Sequence, residues 1–135
     1  MNDAFTLTRP TTALQRTTIL VVDDDRNTRE LFRKSLRDLG YEVLAAGDGT
    51  TALQVSRMHR GAIHLLLADA VMPGMSGLKL ANQMLASRSS LRVLYVSGFV
   101  KDIVVQGSLR PEDGFLAKPF STEVLAKKIQ ELLSA

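Results

Sequence analysis

The sequence predicts an α/β fold: a doubly wound, five-stranded parallel sheet with helices on both faces. Three observations lead there. Short apolar runs recur at Ile19-Leu20-Val21-Val22, Ile63 to Ala68, Val93-Leu94-Tyr95-Val96 and Phe115-Leu116-Ala117. Between them lie segments with apolar residues at helical spacing, bounded by Ser, Asp and Gly, the residues that favour helix starts and stops. The first three runs are almost unbroken in apolar character, as strands covered on both faces require.

Residues 1–17 show no periodicity, are rich in Thr and contain Pro10. They are expected to form a disordered tail or linker, with the folded domain at 18–135. The first strand is expected at 18–22. A helix at 26–39 follows, with Asp25 as N-cap, Gly40 as its stop, and Leu31, Phe32, Ser35, Leu36 and Leu39 on its inner face. The second strand is expected at 41–45. The turn Gly47-Asp48-Gly49 then leads into a helix at 50–59. A third strand at 63–68 runs into the loop Met72-Pro73-Gly74-Met75, where Gly74 and Gly77 suit a turn and close helix packing. Ser76 caps the next helix, which reaches about 87. A strand at 92–96, a short helix at 100–106 bounded by Gly107 and Pro111, and a strand at 114–117 come next. The last helix is expected at 121–133, capped by Ser121, with Val124, Leu125, Ile129, Leu132 and Leu133 inward.

Size and composition narrow the function. A chain of 135 residues is one domain and buries enough surface to fold without staples. It has no cysteine, which excludes disulfides and thiolate metal sites and agrees with a cytoplasmic location. No apolar run approaches the roughly 20 residues that span a bilayer, and the N-terminus lacks a signal-peptide core. The net charge of +3 is too small to imply nucleic acid. No direct nucleic-acid or membrane contact is expected. Arg26, Arg29, Arg33 and Arg37 are spaced to share one helical face. They read either as a solvated face or as a docking strip for an acidic partner.

Chemistry is concentrated at the strand ends. Asp23-Asp24-Asp25 follows the first strand, Asp69 the third, Ser97-Gly98 the fourth and Lys118-Pro119 the fifth. In a parallel sheet all four reach the same edge, where ligands of such sheets bind. Clustered carboxylates repel unless they take up protons or a hard cation. Mg²⁺ suits one or two carboxylates with waters and a phosphate oxygen. A lysine aimed at the cluster offsets its charge and can hold a phosphoryl oxygen. Ser97 supplies a hydroxyl, and Gly98 leaves room for close approach. Taken singly, each residue also fits a structural role: Asp25 a helix cap, Asp69 a turn, Lys118-Pro119 a loop closure. Their joint order on successive strand ends favours a site.

These segments, ILVVDDD at 19–25, DAVMPGMSG at 69–77, Ser97-Gly98 and Lys118-Pro119-Phe120, resemble the receiver domain of two-component response regulators over about residues 18–134. The resemblance implies a flavodoxin-like (βα)5 fold with strand order 2-1-3-4-5. It makes Asp69 the phospho-acceptor, attacking a phosphohistidine of a histidine kinase or histidine phosphotransfer protein. It places Mg²⁺ (or Mn²⁺) on Asp24, Asp69 and the backbone carbonyl of Val71, with Asp23 acting through a metal-bound water. Lys118 would pair with the phosphoryl group and Ser97 would donate a hydrogen bond to it.

Ser97 and Phe115 would form the switch, reshaping the surface of the 100–106 helix, the fifth strand and the last helix for an unknown downstream protein. Phe115 has no hydroxyl, so packing would drive that switch. Val71 and Phe99, at the two positions that flank the path of hydrolytic water in the family, are apolar here, and a long-lived phospho-form is expected. The Arg strip at 26, 29, 33 and 37 would face the phosphodonor. Such a module catalyses only its own phosphorylation and dephosphorylation, and a monomer or weak dimer is expected.

Two other readings compete. A haloacid dehalogenase-type phosphatase also uses two aspartates two residues apart, as Asp23 and Asp25 are, but its pattern continues Gly-Thr where this chain has Arg26-Asn27. A pseudo-receiver would serve only as an interaction module; intact Asp24, Asp69, Ser97 and Lys118 argue against it. Within the family, a stand-alone regulator and the terminal receiver of a hybrid histidine kinase both fit the sequence.

Overall fold

The computed structural model describes residues 16–98 and 107–135. Its elements are β1 (Thr18–Val22), α1 (Arg26–Asp38), β2 (Glu42–Ala46), α2 (Gly49–Met58), β3 (Leu65–Asp69), α3 (Gly77–Ser87), β4 (Arg92–Ser97), β5 (Gly114–Ala117) and α4 (Thr122–Ser134). The helix expected at 100–106, Phe99 and most of the expected tail lie outside the described residues, so the last helix is α4 here.

The strands form one parallel sheet in the order β2-β1-β3-β4-β5, as the resemblance implied. β1, β3 and all but the first residue of β4 are buried. Alternate residues of these strands feed two cores, following the period of two along a strand. Leu20, Val22, Leu66, Ala68, Val93 and Tyr95 pack with Ala52 and Leu53 of α2 and with Leu80, Ala81 and Met84 of α3. Ile19, Val21, Leu65, Leu67, Leu94 and Val96 pack with Phe32 and Leu36 of α1 and with Leu125, Ile129 and Leu132 of α4. Each fully buried Leu or Ile contributes roughly 1.5–3 kcal/mol, so the sheet centre is the stable floor beneath its loops.

The helix boundaries have local causes. Asp25, Asp48, Ser76 and Ser121 each accept a backbone N–H of the first turn, satisfying donors the helix cannot. At the far end of α1, Gly40 takes φ +99°. There the Gly40 N–H bonds the Arg37 carbonyl and the Tyr41 N–H bonds the Leu36 carbonyl, the paired closure that a left-handed glycine permits.

Some expectations fail. Leu31 is 62% exposed, and Leu39 and Val124 are also exposed. The buried stripe of α1 is narrow, Phe32 and Leu36 at i and i+4. Leu31 lies beyond it, and Leu39 falls on the cap where the chain turns. Residues 63 and 64 precede β3 rather than belonging to it, although the His64 N–H still bonds the Thr18 carbonyl. β3 instead extends to include Asp69, so the acidic residue is held by the sheet.

Candidate functional site

The carboxyl ends of β1, β3 and β5 deliver the principal groups. Asp23 follows β1 and is 1% exposed. Its N–H reaches the Ala46 carbonyl of β2 at 3.3 Å. Its Oδ1 accepts the Asp25 N–H at 2.9 Å, and its Oδ2 accepts Lys118 Nζ at 2.9 Å. Asp24 is exposed, facing solvent above the sheet edge. Asp25 is committed elsewhere: its Oδ2 accepts the Thr28 N–H at 2.8 Å and the Thr28 hydroxyl at 2.6 Å. These bonds from Thr28, led by the hydroxyl, lower its pKa. The phosphatase reading, which needs Asp23 and Asp25 as a working pair, therefore loses its second carboxylate to a helix cap.

Asp69 is the last residue of β3. Its Oδ1 accepts the Val71 N–H at 3.0 Å, and its Oδ2 lies 3.3 Å from Lys118 Nζ. The backbone around it is pinned from two sides. The Ala70 N–H bonds the Val96 carbonyl at 2.8 Å, and the Gly77 N–H bonds the Ala70 carbonyl at 3.1 Å. A Cβ on Gly77 would collide with the Asp69 carbonyl oxygen and come within 3.1 Å of the Ala70 Cα. These are backbone atoms that no rotamer change can move, so only glycine lets α3 start this close to the acceptor. Lys118 is aimed from β5, its N–H bonding the Ser97 carbonyl at 2.7 Å. The Lys118–Pro119 bond is cis. Beyond it, Phe120 stacks on Phe32 of α1, centroids 5.7 Å apart and planes at 6°. That contact ties the lysine loop to the helix beside the acidic loop.

One carboxylate oxygen from each of Asp23, Asp24 and Asp69 lies within 4.8 Å of the others. At the effective dielectric of a partly buried site, the Asp23–Asp69 pair alone repels by about 3 kcal/mol. Burial pushes the Asp69 pKa up; the Val71 N–H and Lys118 pull against it, while the Asp23 charge adds to it. Burial works against the Lys118 ammonium, but the carboxylates of Asp23 and Asp69 outweigh it and raise its pKa. One ammonium facing three carboxylates leaves an excess of negative charge, in an oxygen-rich pocket suited to a hard divalent cation.

The model of the response regulator receiver domain matches residues 19–130. The chain belongs to the receiver family of response regulators. It is 37% identical to the chemotaxis protein CheY of Pseudomonas aeruginosa over 118 residues, covering 84% of this chain and 94% of that one. It is 32% identical to the sensor kinase CckA of Brucella abortus over 119 residues, which is 86% of this chain but 12% of the kinase. Among solved structures it resembles the response regulator TrrA of Thermotoga maritima, determined in complex with Mg²⁺-BeF. That match has a TM-score of 0.72 and 29% identity, and covers 86% of this chain and 98% of the other.

In this receiver, Asp23, Asp24, Asp69 and Lys118 converge, and Ser97 is fully buried at the end of β4 next to them. Phe115 is paired in register with Tyr95 and packs against the α2–α3 core. Val71 is 43% exposed at the rim. The four arginines of the strip are not arranged alike. Arg26 and Arg37 are exposed, but Arg33 is paired with Glu30 at 2.7 Å, and Arg29 turns inward to donate to the Asp23 carbonyl at 2.8 Å. The inward Arg29, the Phe32–Phe120 stack and the contact of Gly77 with Asp69 were not read from sequence. Glycine at 77 and Phe120 in the Lys-Pro-Phe run were the available signals.

Among the described residues no helix is long and apolar enough to cross a membrane.

Proposed function

We propose that this receiver accepts a phosphoryl group on Asp69 from a phosphohistidine in a Mg²⁺-dependent reaction. The observation that carries this is the Asp69 carboxylate itself. One oxygen is oriented by the Val71 N–H and the other faces Lys118, beside two further carboxylates. An Asp69 oxygen attacks phosphorus, the P–N bond to the imidazole breaks, and the neutral imidazole leaves. Phosphoryl transfer depends on in-line positioning and charge neutralisation more than on covalent help. Asp24, Asp69 and the Val71 carbonyl would hold the cation, with Asp23 reaching it through water. When bound, Mg²⁺ would neutralise charge on the phosphoryl oxygens. Lys118 supplies positive charge to the same oxygens, and the Ser97 hydroxyl donates to them.

Phosphorylation then acts by biasing two states, through the different contacts it makes in each. Ser97 drawn toward the phosphoryl group vacates space behind it, and Phe115 moves into that space. The output is protein contact with a downstream target rather than turnover of a small substrate. The donor is a histidine kinase or histidine phosphotransfer protein approaching α1, where Arg26 and Arg37 remain exposed. The relatives include a regulator matched over most of its length and a kinase matched over a small part, so both the stand-alone and the hybrid-kinase settings suit this chain.

Intact-mass measurement after incubation with acetyl phosphate, with and without Mg²⁺, tests the reading. One phosphoryl group should be gained only with Mg²⁺, and Asp69→Asn should gain none. A wild type that takes up nothing, from acetyl phosphate or from a panel of phosphorylated histidine proteins, would establish a pseudo-receiver instead. The apolar rim at Val71 supports a slowly hydrolysed phospho-form, because it gives water no hydrogen-bond partner there. Val71→Asn should shorten the lifetime measured by ³²P release, and loss within seconds from the wild type would sink this point.

A further inference from the structure

Arg29 belongs by spacing to the exposed strip of α1, yet its guanidinium does not point to solvent. Its Nη1 donates to the Asp23 carbonyl at 2.8 Å, six residues back in the chain. The same group lies over Gly47 of the β2–α2 loop: a Cβ there would be 3.1 Å from Nη1, 3.6 Å from Cζ and 3.9 Å from Nη2. Gly47 is not one of the positive-φ glycines, so its missing side chain serves this approach rather than a backbone turn. Arg29 thus joins the β1–α1 loop to the β2–α2 loop. The carbonyl it holds is half of the Asp23–Asp24 peptide plane. Fixing that plane fixes the Asp24 N–H and the position of the Asp24 Cα, from which the exposed side chain leaves the backbone. Asp23 needs no such help, being held by the Asp25 N–H and Lys118. The same Asp25 N–H bond holds the peptide that follows Asp24, so Arg29 supplies the hold on the peptide that precedes it, while the Asp24 carboxylate takes part in no hydrogen bond among the described residues.

We propose that Arg29, seated on Gly47, is a positioning residue that orients Asp24 for the divalent cation, rather than a residue that docks the phosphodonor. This rests on the receiver reading of the acidic cluster. Support groups behind metal ligands commonly change affinity by about 10–100-fold when removed.

The test uses Mn²⁺ as probe, read by EPR, together with phosphorylation by acetyl phosphate, so that no protein donor is present. Arg29→Ala should weaken Mn²⁺ binding about tenfold or more and slow acetyl phosphate uptake; Gly47→Ala, whose Cβ crowds the guanidinium without removing it, should do the same to a smaller extent. The double variant should be no worse than Arg29→Ala, because both changes act on one contact. Arg29→Lys, which keeps a donor but not the planar group on Gly47, should recover part of the loss. The Asp24 amide resonance should shift in the same direction in Arg29→Ala and Gly47→Ala, further in the former, with or without metal. Unchanged Mn²⁺ affinity and acetyl phosphate rate in folded Arg29→Ala, with slower transfer from a phosphorylated histidine protein, would return Arg29 to a docking role. Additive losses in the double variant would also overturn the proposal. A wild type that binds no Mn²⁺ would instead refute the metal reading, leaving the peptide anchor to be judged by the Asp24 amide alone.

Discussion

Two cations organise opposite ends of this molecule, and they do so differently. At the carboxyl end of the sheet, Lys118 is shared between Asp23 and Asp69 at 2.9 and 3.3 Å. At the other end, Arg88 caps α3 and reaches across to the end of α2. Its guanidinium donates to the Ser56 hydroxyl at 2.9 Å and to the carbonyls of Ser56, His59 and Gly61 at 2.8, 3.0 and 3.1 Å. Two of those four acceptors, the Ser56 and His59 carbonyls, lie in the last turn and cap of α2, where a positive charge is favoured. Arg88 therefore meets neutral dipoles that ask for one cation and receive one. Lys118 meets a cluster of carboxylates with more charge than it can neutralise. The first arrangement is satisfied and serves stability. The second leaves an excess of negative charge at the sheet edge, an arrangement that suits a divalent cation.

The sharpest way to break this comparison is to remove the lysine. Lys118→Met should cut the acetyl phosphate reaction by about 100-fold or more, the usual loss when a preorganised electrostatic group is deleted. A rate within a few-fold of wild type, measured by intact mass over time, would mean the lysine only balances charge. Arg88→Ala should do the converse. It should cost about 2–3 kcal/mol in urea melts, as charged hydrogen bonds to helix-end groups are lost, while the phosphorylation rate per folded molecule stays the same. A slowed reaction in that variant would show that the two ends are coupled.

The smallest effect is one of pH. The folded-state pKa of Asp69 lies above its ordinary value of 3.8, so folding favours the protonated acid. That contribution is fully present below 3.8 and is lost as pH rises through the folded-state value. Metal-free wild type should therefore lose stability relative to Asp69→Asn as pH increases from about 3 toward neutrality. Urea melts of both proteins in chelator check it, and parallel curves would contradict the burial of an ionised acceptor.

What could be read from the sequence follows the same division. Asp23, Asp69, Ser97 and Lys118 were legible because residue type and position at a strand end both pointed one way, and a parallel sheet brings strand ends together. Continuous apolar runs gave β1, β3 and β4, and capping residues gave the starts of α1, α3 and α4. Arg88 was not legible, because its partners are mostly main-chain carbonyls, which have no signature in the sequence. The inward turn of Arg29 was not legible for a related reason. A long side chain on a helical stripe can point to water or fold back, and what decides here is a missing Cβ at Gly47, contributed by another loop. Leu31 and Leu39 were placed inward because helical spacing admits a wider apolar face than the single row, Phe32 and Leu36, that the sheet accepts.

The bond between Lys118 and Asp23 spans 95 residues of chain, and that between Lys118 and Asp69 spans 49. During synthesis both aspartates therefore emerge well before their counter-charge. A chain halted after β4 holds the acidic residues without the ammonium, so the site is incomplete until β5 and Lys118 have been made. The strand that lies furthest along the chain from the acidic loop, β5, is thus the one that closes the circuit.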